Sequence, residues 1–401
     1  MLAFAIRQLV VYAIILVLSL FIGRVAGPGV YATFTLFNFF FGLTYIIADF
    51  GYGKAVIREK LVGNPPAPDL AGGVNLVFGL FFGVLACLTL AAQNYTVEAW
   101  LTLLFFVAAS SAFRWFFASE SKSDFAAIGK AEIMQVVVYA TVFFAAYLLR
   151  GSAADSLFAA VMFRCLSIPL SYSIFSRNRP RIAGLSLGGL NRVLGLFYNG
   201  FFYQASLILF SIKDLILAYV IFWDKSGDLK GLGFMAQTYM MLPLMVVNPL
   251  SRFLLPRLSQ GRGNLEDEGM KNLVLLMAAY ALISTAMLVV LFPVFNTLVL
   301  NGNFDGSRQF LAYFACANLI SIPSLGIASL LAVGYGYRVY LCYALLCTGL
   351  TWGVGFLKLR FPGDDYGYPS AVLAGHLVNL GLLAWFFVRG AEVGRSREKS
   401  L

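Results

Sequence analysis

Apolar runs of about 20 residues follow one another from one end of this chain to the other, and a helix needs about that length to cross a bilayer. They fall at roughly 4–26, 31–50, 71–92, 97–118, 130–149, 153–175, 200–222, 232–256, 272–297, 308–333, 336–357 and 368–388. The pattern predicts an all-α polytopic membrane protein with about 12 transmembrane helices joined by short loops. A mean hydropathy of +0.82 over 401 residues excludes an ordinary soluble fold. The first run follows Arg7, as in a signal peptide. It is too long for one, no small-x-small cleavage site follows it, and a second span begins almost at once.

Lys and Arg favour cytoplasmic loops. With the N-terminus inside, 19 of them fall on the cytoplasmic side and 7 on the other, while Arg114, Arg164 and Lys213 are intramembrane. The bias predicts both termini inside and an even number of spans. The net charge of +10 then needs no nucleic acid, because basic loops beside anionic lipid account for most of it. The five cysteines lie within spans and show neither metal-ligand spacing nor a disulfide framework, and there is one histidine. No P-loop segment occurs, and no cofactor is expected.

The longest basic connection, with Arg177, Arg179 and Arg181, falls near the middle and runs into a Gly-rich stretch. It divides the chain into residues 1–180, a cytoplasmic linker at 181–199, and 200–401, with six spans on each side. An even number of spans per half sends both halves in from the same side, as in parallel repeats.

Charge is scarce in this sequence, so the charges inside apolar runs stand out. One at the centre of a span costs about 2.5–3.5 kcal/mol on insertion scales, and Arg114, Arg164, Lys213 and Asp214 all lie there. Arg164 shares a helix face with Ser167 and Ser171 near mid-span, whereas Arg114 lies toward a membrane surface and has room to snorkel. Lys213 and Asp214 are adjacent and point apart, so each needs a partner on another helix, a cavity or a ligand. Thr35, Asn38, Gly42, Tyr45 and Asp49 form a polar stripe at helical spacing. Such a stripe faces a cavity or makes interhelical hydrogen bonds, and Asp49 is close enough to the surface for simple hydration. Gln237 and Asn248 share a face of a span interrupted by Pro243 and Pro249. His376, one turn from Asn379, reads as a packed residue or a proton relay.

Residues 23–31 (GRVAGPGVY), followed by 48–59 (ADFGYGKAVIRE), resemble the opening of Wzx-type polysaccharide flippases, which share the MOP superfamily with the MATE exporters. The chain departs from that pattern at Gly23, Ala26-Gly27 and Ala32. Residues 232–237 (LGFMAQ) and 248–259 (NPLSRFLLPRLS) resemble the family's eighth span and its exit, and Asp214 falls where many members are acidic. The resemblance implies a MATE-like architecture of two six-helix lobes around a central cavity. It also implies a flippase moving a polyprenyl-diphosphate-linked oligosaccharide across the bacterial inner membrane, for O-antigen, capsule or exopolysaccharide assembly. The cavity residues expected on this reading are Arg24, Arg114, Arg164, Lys213, Asn38 and Gln237. Asp49, Asp214 and His376 are candidates for coupling to protons or sodium, or for charge pairs. Expected partners are the lipid-linked sugar, membrane lipid and a polysaccharide polymerase complex.

Three other readings remain at this point. An ion-coupled exporter of small cationic molecules calls for an acidic cavity. A membrane glycosyltransferase or polymerase calls for catalytic carboxylates and a large external segment. A scaffold of polysaccharide assembly need not transport at all.

Overall fold

A backbone in a bilayer has no water to bond with, so it satisfies its own N–H and C=O groups by coiling into helices. Accordingly, all the regular structure among the described residues is helical. The computed structural model describes residues 2–49, parts of 76–112, 125–175, 191, parts of 201–213, 226–245, 247, 268–334, 337–359 and 366–398, some by backbone only. The helices are α1 (Leu2–Asp49), α2 (Phe125–Arg150), α3 (Ala153–Phe175), α4 (Gly227–Met240), α5 (Glu268–Leu300), α6 (Leu311–Gly334), α7 (Tyr337–Leu359) and α8 (Gly367–Glu398). A 3-10 turn at Asp305–Phe310 leads into α6.

Five stretches among the described residues are long and apolar enough to cross a membrane: Leu9–Thr35, Ala126–Arg150, Asp155–Phe175, Val274–Leu300 and Val339–Leu357. The first of these runs through a break. Gly27 has φ 77°, a left-handed conformation that glycine adopts without steric cost, and Pro28 restarts the helix. Its apolar length thus belongs to two helices, divided where the sequence divides spans 4–26 and 31–50.

Lipid explains the outer faces. Along α5, Leu276, Ile283, Met287, Val290, Val294 and Leu298 recur at helical spacing and are 55–74% exposed. A stripe of that size on a soluble surface would drive association, whereas acyl chains solvate it.

The chain separates into two compact units. The first comprises Met1–Ile22 and Phe34–Ile208, the second Gly23–Thr33 and Leu209–Leu401. Residues 23–33 therefore belong with the C-terminal half, and the division falls between 208 and 209. The expected linker at 181–199 lies outside the described residues except for position 191.

In the first unit, α2 and α3 form a hairpin through Gly151 and Ser152. Ser152 caps α3: its hydroxyl accepts from the Asp155 N–H (3.3 Å), and its carbonyl accepts from the Ser156 hydroxyl (2.6 Å). Phe21 of α1 packs edge-on against Phe144 (4.7 Å) and Tyr147 (5.9 Å) of α2. In the second unit, Ser226 caps α4 by accepting from the Leu229 N–H (3.3 Å), so this helix begins at Gly227, before the apolar run at 232. Its buried side packs on α6 and α8 through Phe234, Phe314 and Tyr368, whose rings meet at 5.9–6.2 Å.

Candidate functional site

Arg164 is the midpoint of the 23-residue α3, about 16 Å along the axis from either end. Residues 163, 166 and 170 of that helix are more than half exposed, while Cys165, Ile168 and Tyr172 are buried. Arg164 is half-buried between these faces. Its guanidinium carbon stands 5.0 Å from the centre of the Tyr139 ring of α2, a cation–π distance. Tyr139 is itself buried, and Phe34 of α1 stacks on it at 6.5 Å and 12°.

The serines expected to accompany Arg164 are packed rather than presented. Ser167 donates to the Arg164 carbonyl (2.8 Å), and Ser171 donates to the Ile168 carbonyl (2.9 Å) while accepting from Gln135 Nε2 of α2 (2.9 Å). A cation–π contact contributes about 0.5–2 kcal/mol, less than the 2.5–3.5 kcal/mol cost of a mid-span Arg. It also uses none of the N–H donors of the guanidinium fork, which match a phosphate or carboxylate bidentately.

Lys213, the second expected cation, is 5% exposed and lies in the second unit. The α7 helix holds that stretch of backbone: the Trp352 indole N–H donates to the Lys213 carbonyl (3.3 Å), and Thr348 donates to the Leu209 carbonyl (3.4 Å). Donors one turn apart on α7 thus reach acceptors one turn apart on the chain leading through Lys213. The adjacent α7 positions face α8, where Cys347 Sγ contacts Asn379 Oδ1 at 3.9 Å and Thr351 packs beneath Gly375. Half-buried His376 follows Gly375 on α8.

Gln237 is 2% exposed, and its Oε1 accepts from the Tyr368 hydroxyl at 2.7 Å. One turn on, Asn318 of α6 donates its side-chain amide to the Met240 carbonyl. That acceptor is vacant because α4 ends there: the Leu244 N–H, beside Pro243, turns to Met241 (3.0 Å) instead of Met240. Arg24 is exposed, at the end of the first half of α1, and is part of the second unit. Asn38 turns its amide back onto the Phe34 carbonyl of its own helix (3.1 Å). Arg114 and Asp214 lie outside the described residues, as does the side chain of Asp49, whose backbone closes α1.

Of the expected site residues, the first unit therefore carries Asn38 and Arg164, and the second carries Arg24, Lys213, Gln237 and His376. Sequence reading overlooked Tyr139, Gln135, Trp352 and Asn303, whose side-chain amide donates to the Arg24 carbonyl (2.9 Å). Tyr139 had a usable signal: it lies four residues beyond Gln135, on one face of a helix adjoining α3.

No family model matches the chain, and no curated protein matches it at a significant level. Solved structures do match. The lipid II flippase MurJ in an inward closed conformation superposes with a TM-score of 0.72 at 11% identity, covering 96% of this chain and 87% of that one. The fold is MATE-like. A multidrug resistance MATE family transporter of the MOP superfamily matches in its inward-facing conformation with a TM-score of 0.66 at 14% identity, over 98% of this chain and 99% of the other. An outward-facing structure of such a transporter matches at 0.62 and 14% identity, over 98% and 95%. These neighbours are transporters and a flippase, and at such identities they share with this chain a MATE-like, multi-pass membrane architecture.

Proposed function

We propose that this chain is a flippase of the Wzx type. It carries a polyprenyl-diphosphate-linked oligosaccharide from the inner to the outer leaflet of a bacterial cytoplasmic membrane for surface polysaccharide assembly. The observation that carries this reading is Arg164, a permanent cation at the centre of a spanning helix, held against a buried aromatic ring. An anionic diphosphate is the head group such a cation fits, through charge-assisted hydrogen bonds. Lys213 supplies a second buried cation. The MATE-like fold supports the reading, since one solved structure that shares it is a lipid II flippase.

In this mechanism two lobes alternate access to a central cavity. Arg24, Arg114, Arg164 and Lys213, with Asn38 and Gln237, replace water around the diphosphate and sugars while the polyprenyl tail stays in the bilayer. Protons or sodium drive the step through Asp49, Asp214 or His376. Both termini are cytoplasmic, and the product passes to a polymerase complex.

Reconstitution in liposomes with a labelled polyprenyl-diphosphate sugar tests the reading. Leaflet exchange is expected to exceed that of empty liposomes, and Arg164→Ala or Lys213→Ala each to slow it by about 10- to 100-fold without blocking insertion. No acceleration by the wild-type protein refutes the flippase. Normal rates in both variants refute the site. The second reading is export of small cations, favoured by the MATE multidrug neighbours. It predicts ion-driven accumulation of a cationic dye in the same vesicles, and tolerance of both substitutions.

A further inference from the structure

Arg7 is half-buried near the start of α1, and its stem lies in a notch that Gly129 leaves on α2. A Cβ at position 129 would stand 2.5 Å from Arg7 Cδ and 3.2 and 3.4 Å from its Cβ and Cγ. The arginine stem thus takes the place that any other side chain at 129 would fill. The contact belongs to a longer seam within the first unit, which Phe21 continues against Phe144 and Tyr147. The notch also lies at a boundary. The apolar crossing stretch of α1 begins at Leu9, two positions after Arg7, and that of α2 begins at Ala126. Leu9 and Val10, each 39% exposed, open the surface that meets acyl chains. Lys130, beside Gly129, is exposed as well. The one carboxylate of α2, half-buried Glu132, stands one turn deeper along the helix.

We propose that Arg7 and Lys130 bind the phosphate of an anionic phospholipid at the membrane boundary, with the Gly129 notch holding the arginine in place for it. This site does not depend on the flippase reading. The guanidinium fork matches phosphate oxygens bidentately, and among the described residues no ion pair or hydrogen bond occupies it. A mobile arginine loses rotamer freedom when it binds, whereas a stem already seated against α2 loses less. An arginine that only snorkels lays its stem along apolar surface and needs no gap in a neighbouring helix. The notch therefore sets Arg7 apart from the general excess of basic residues at membrane surfaces. Glu132 repels an anion from deeper positions on this face, which keeps the phosphate at the level where acyl chains reach Leu9 and Val10.

The test uses purified full-length protein in detergent, titrated with dioleoylphosphatidylglycerol or with dioleoylphosphatidylcholine, whose choline neutralises the same phosphate. Native mass spectrometry reads the tightest-bound lipid. Wild type is expected to hold the glycerol lipid about tenfold more tightly than the choline lipid, and Arg7→Gln to lose that preference. Gly129→Ala separates the notch from the charge. It alters no charge, and alanine suits a helix better than glycine, so the variant is expected to fold, while its methyl group displaces the arginine stem. It is expected to lose the preference as Arg7→Gln does. Equal binding of the two lipids by wild type, or a full preference in Arg7→Gln, overturns the site. A full preference in Gly129→Ala overturns the role of the notch. A sugar-free polyprenyl diphosphate, titrated in parallel, tests the other source of phosphate. If Arg7→Gln weakens its binding and leaves the glycerol lipid unaffected, the site belongs to a transport substrate and the phospholipid assignment fails.

Discussion

In the α2–α3 hairpin the polar group at helix centre is a charge, Arg164, and an aromatic ring meets it. In the second unit, around α4, the buried polar groups are amides, and hydroxyls and backbone carbonyls meet them: Gln237 with Tyr368, Asn318 with Met240. The contrast separates polarity used for structure from polarity kept for another purpose. Where a helix ladder is interrupted beside Pro243 or at Pro28, a neutral amide completes it. A neutral amide carries no Born penalty, so it is the economical choice for that task. A guanidinium at the centre of α3 costs several times more, and the ring beside it offsets only part of that cost. Its place in the hairpin is consistent with the anionic head group proposed above.

The largest structural effect belongs to the second unit. Gly231→Ala puts a methyl group where the Pro28 carbonyl stands, and the obstacle is backbone that cannot rotate away. Overpacking of this kind costs about 3 kcal/mol. A drop of that size in stability, read as a lowered apparent melting temperature in detergent, is expected along with loss of the 23–33 contacts. An unchanged melting temperature would show that residues 23–33 do not rest on α4.

The next comparison sets one amide in each unit against the other. Asn318→Leu leaves the Met240 carbonyl buried without its donor, at a cost of about 2 kcal/mol. Gln135→Leu removes a bond to Ser171, whose hydroxyl keeps its own acceptor at Ile168, so little is orphaned. Interhelical hydrogen bonds of this type average about 0.6 kcal/mol in membranes. Equal losses from the two substitutions would erase the distinction between an amide that completes a broken helix and one that joins two intact helices.

The break at Gly27-Pro28, the hairpin between spans 153–175 and 130–149, and the apolar run of α5, though not its lipid-facing stripe, were legible in the sequence. Each follows from local chemistry: a missing donor, a turn between apolar runs, an apolar run of spanning length. The attachment of 23–33 to the second unit was not. The proline announces that the Arg24 carbonyl needs a donor, but nothing near it in the chain names Asn303 as that donor. Arg164 was legible as an expensive cation, while its pairing with Tyr139 was not: the Gln135–Tyr139 spacing marks a face of α2, but the ring becomes Arg164's neighbour only when α2 and α3 close. The polar stripe from Thr35 through Asn38 to Asp49 is described only in part. Its spacing reads as a face toward a cavity or a neighbouring helix; of its polar side chains Asn38 bonds back to the Phe34 carbonyl of its own helix, while those of Tyr45 and Asp49 lie outside the described residues.

The smallest effect falls at that ring. Tyr139→Phe keeps the aromatic face beneath Arg164 and its stacking on Phe34, whereas Tyr139→Leu keeps only apolar volume. If the ring positions the guanidinium by its quadrupole, Phe is expected to match wild type in leaflet exchange. Leu is expected to lose about 1 kcal/mol of orienting interaction, roughly a fivefold slower exchange at unchanged expression. If Phe slows exchange as much as Leu does, the hydroxyl and not the ring serves Arg164. The hairpin would then follow the same rule as the amides around α4, polar group meeting polar group, and the contrast between the two regions would close.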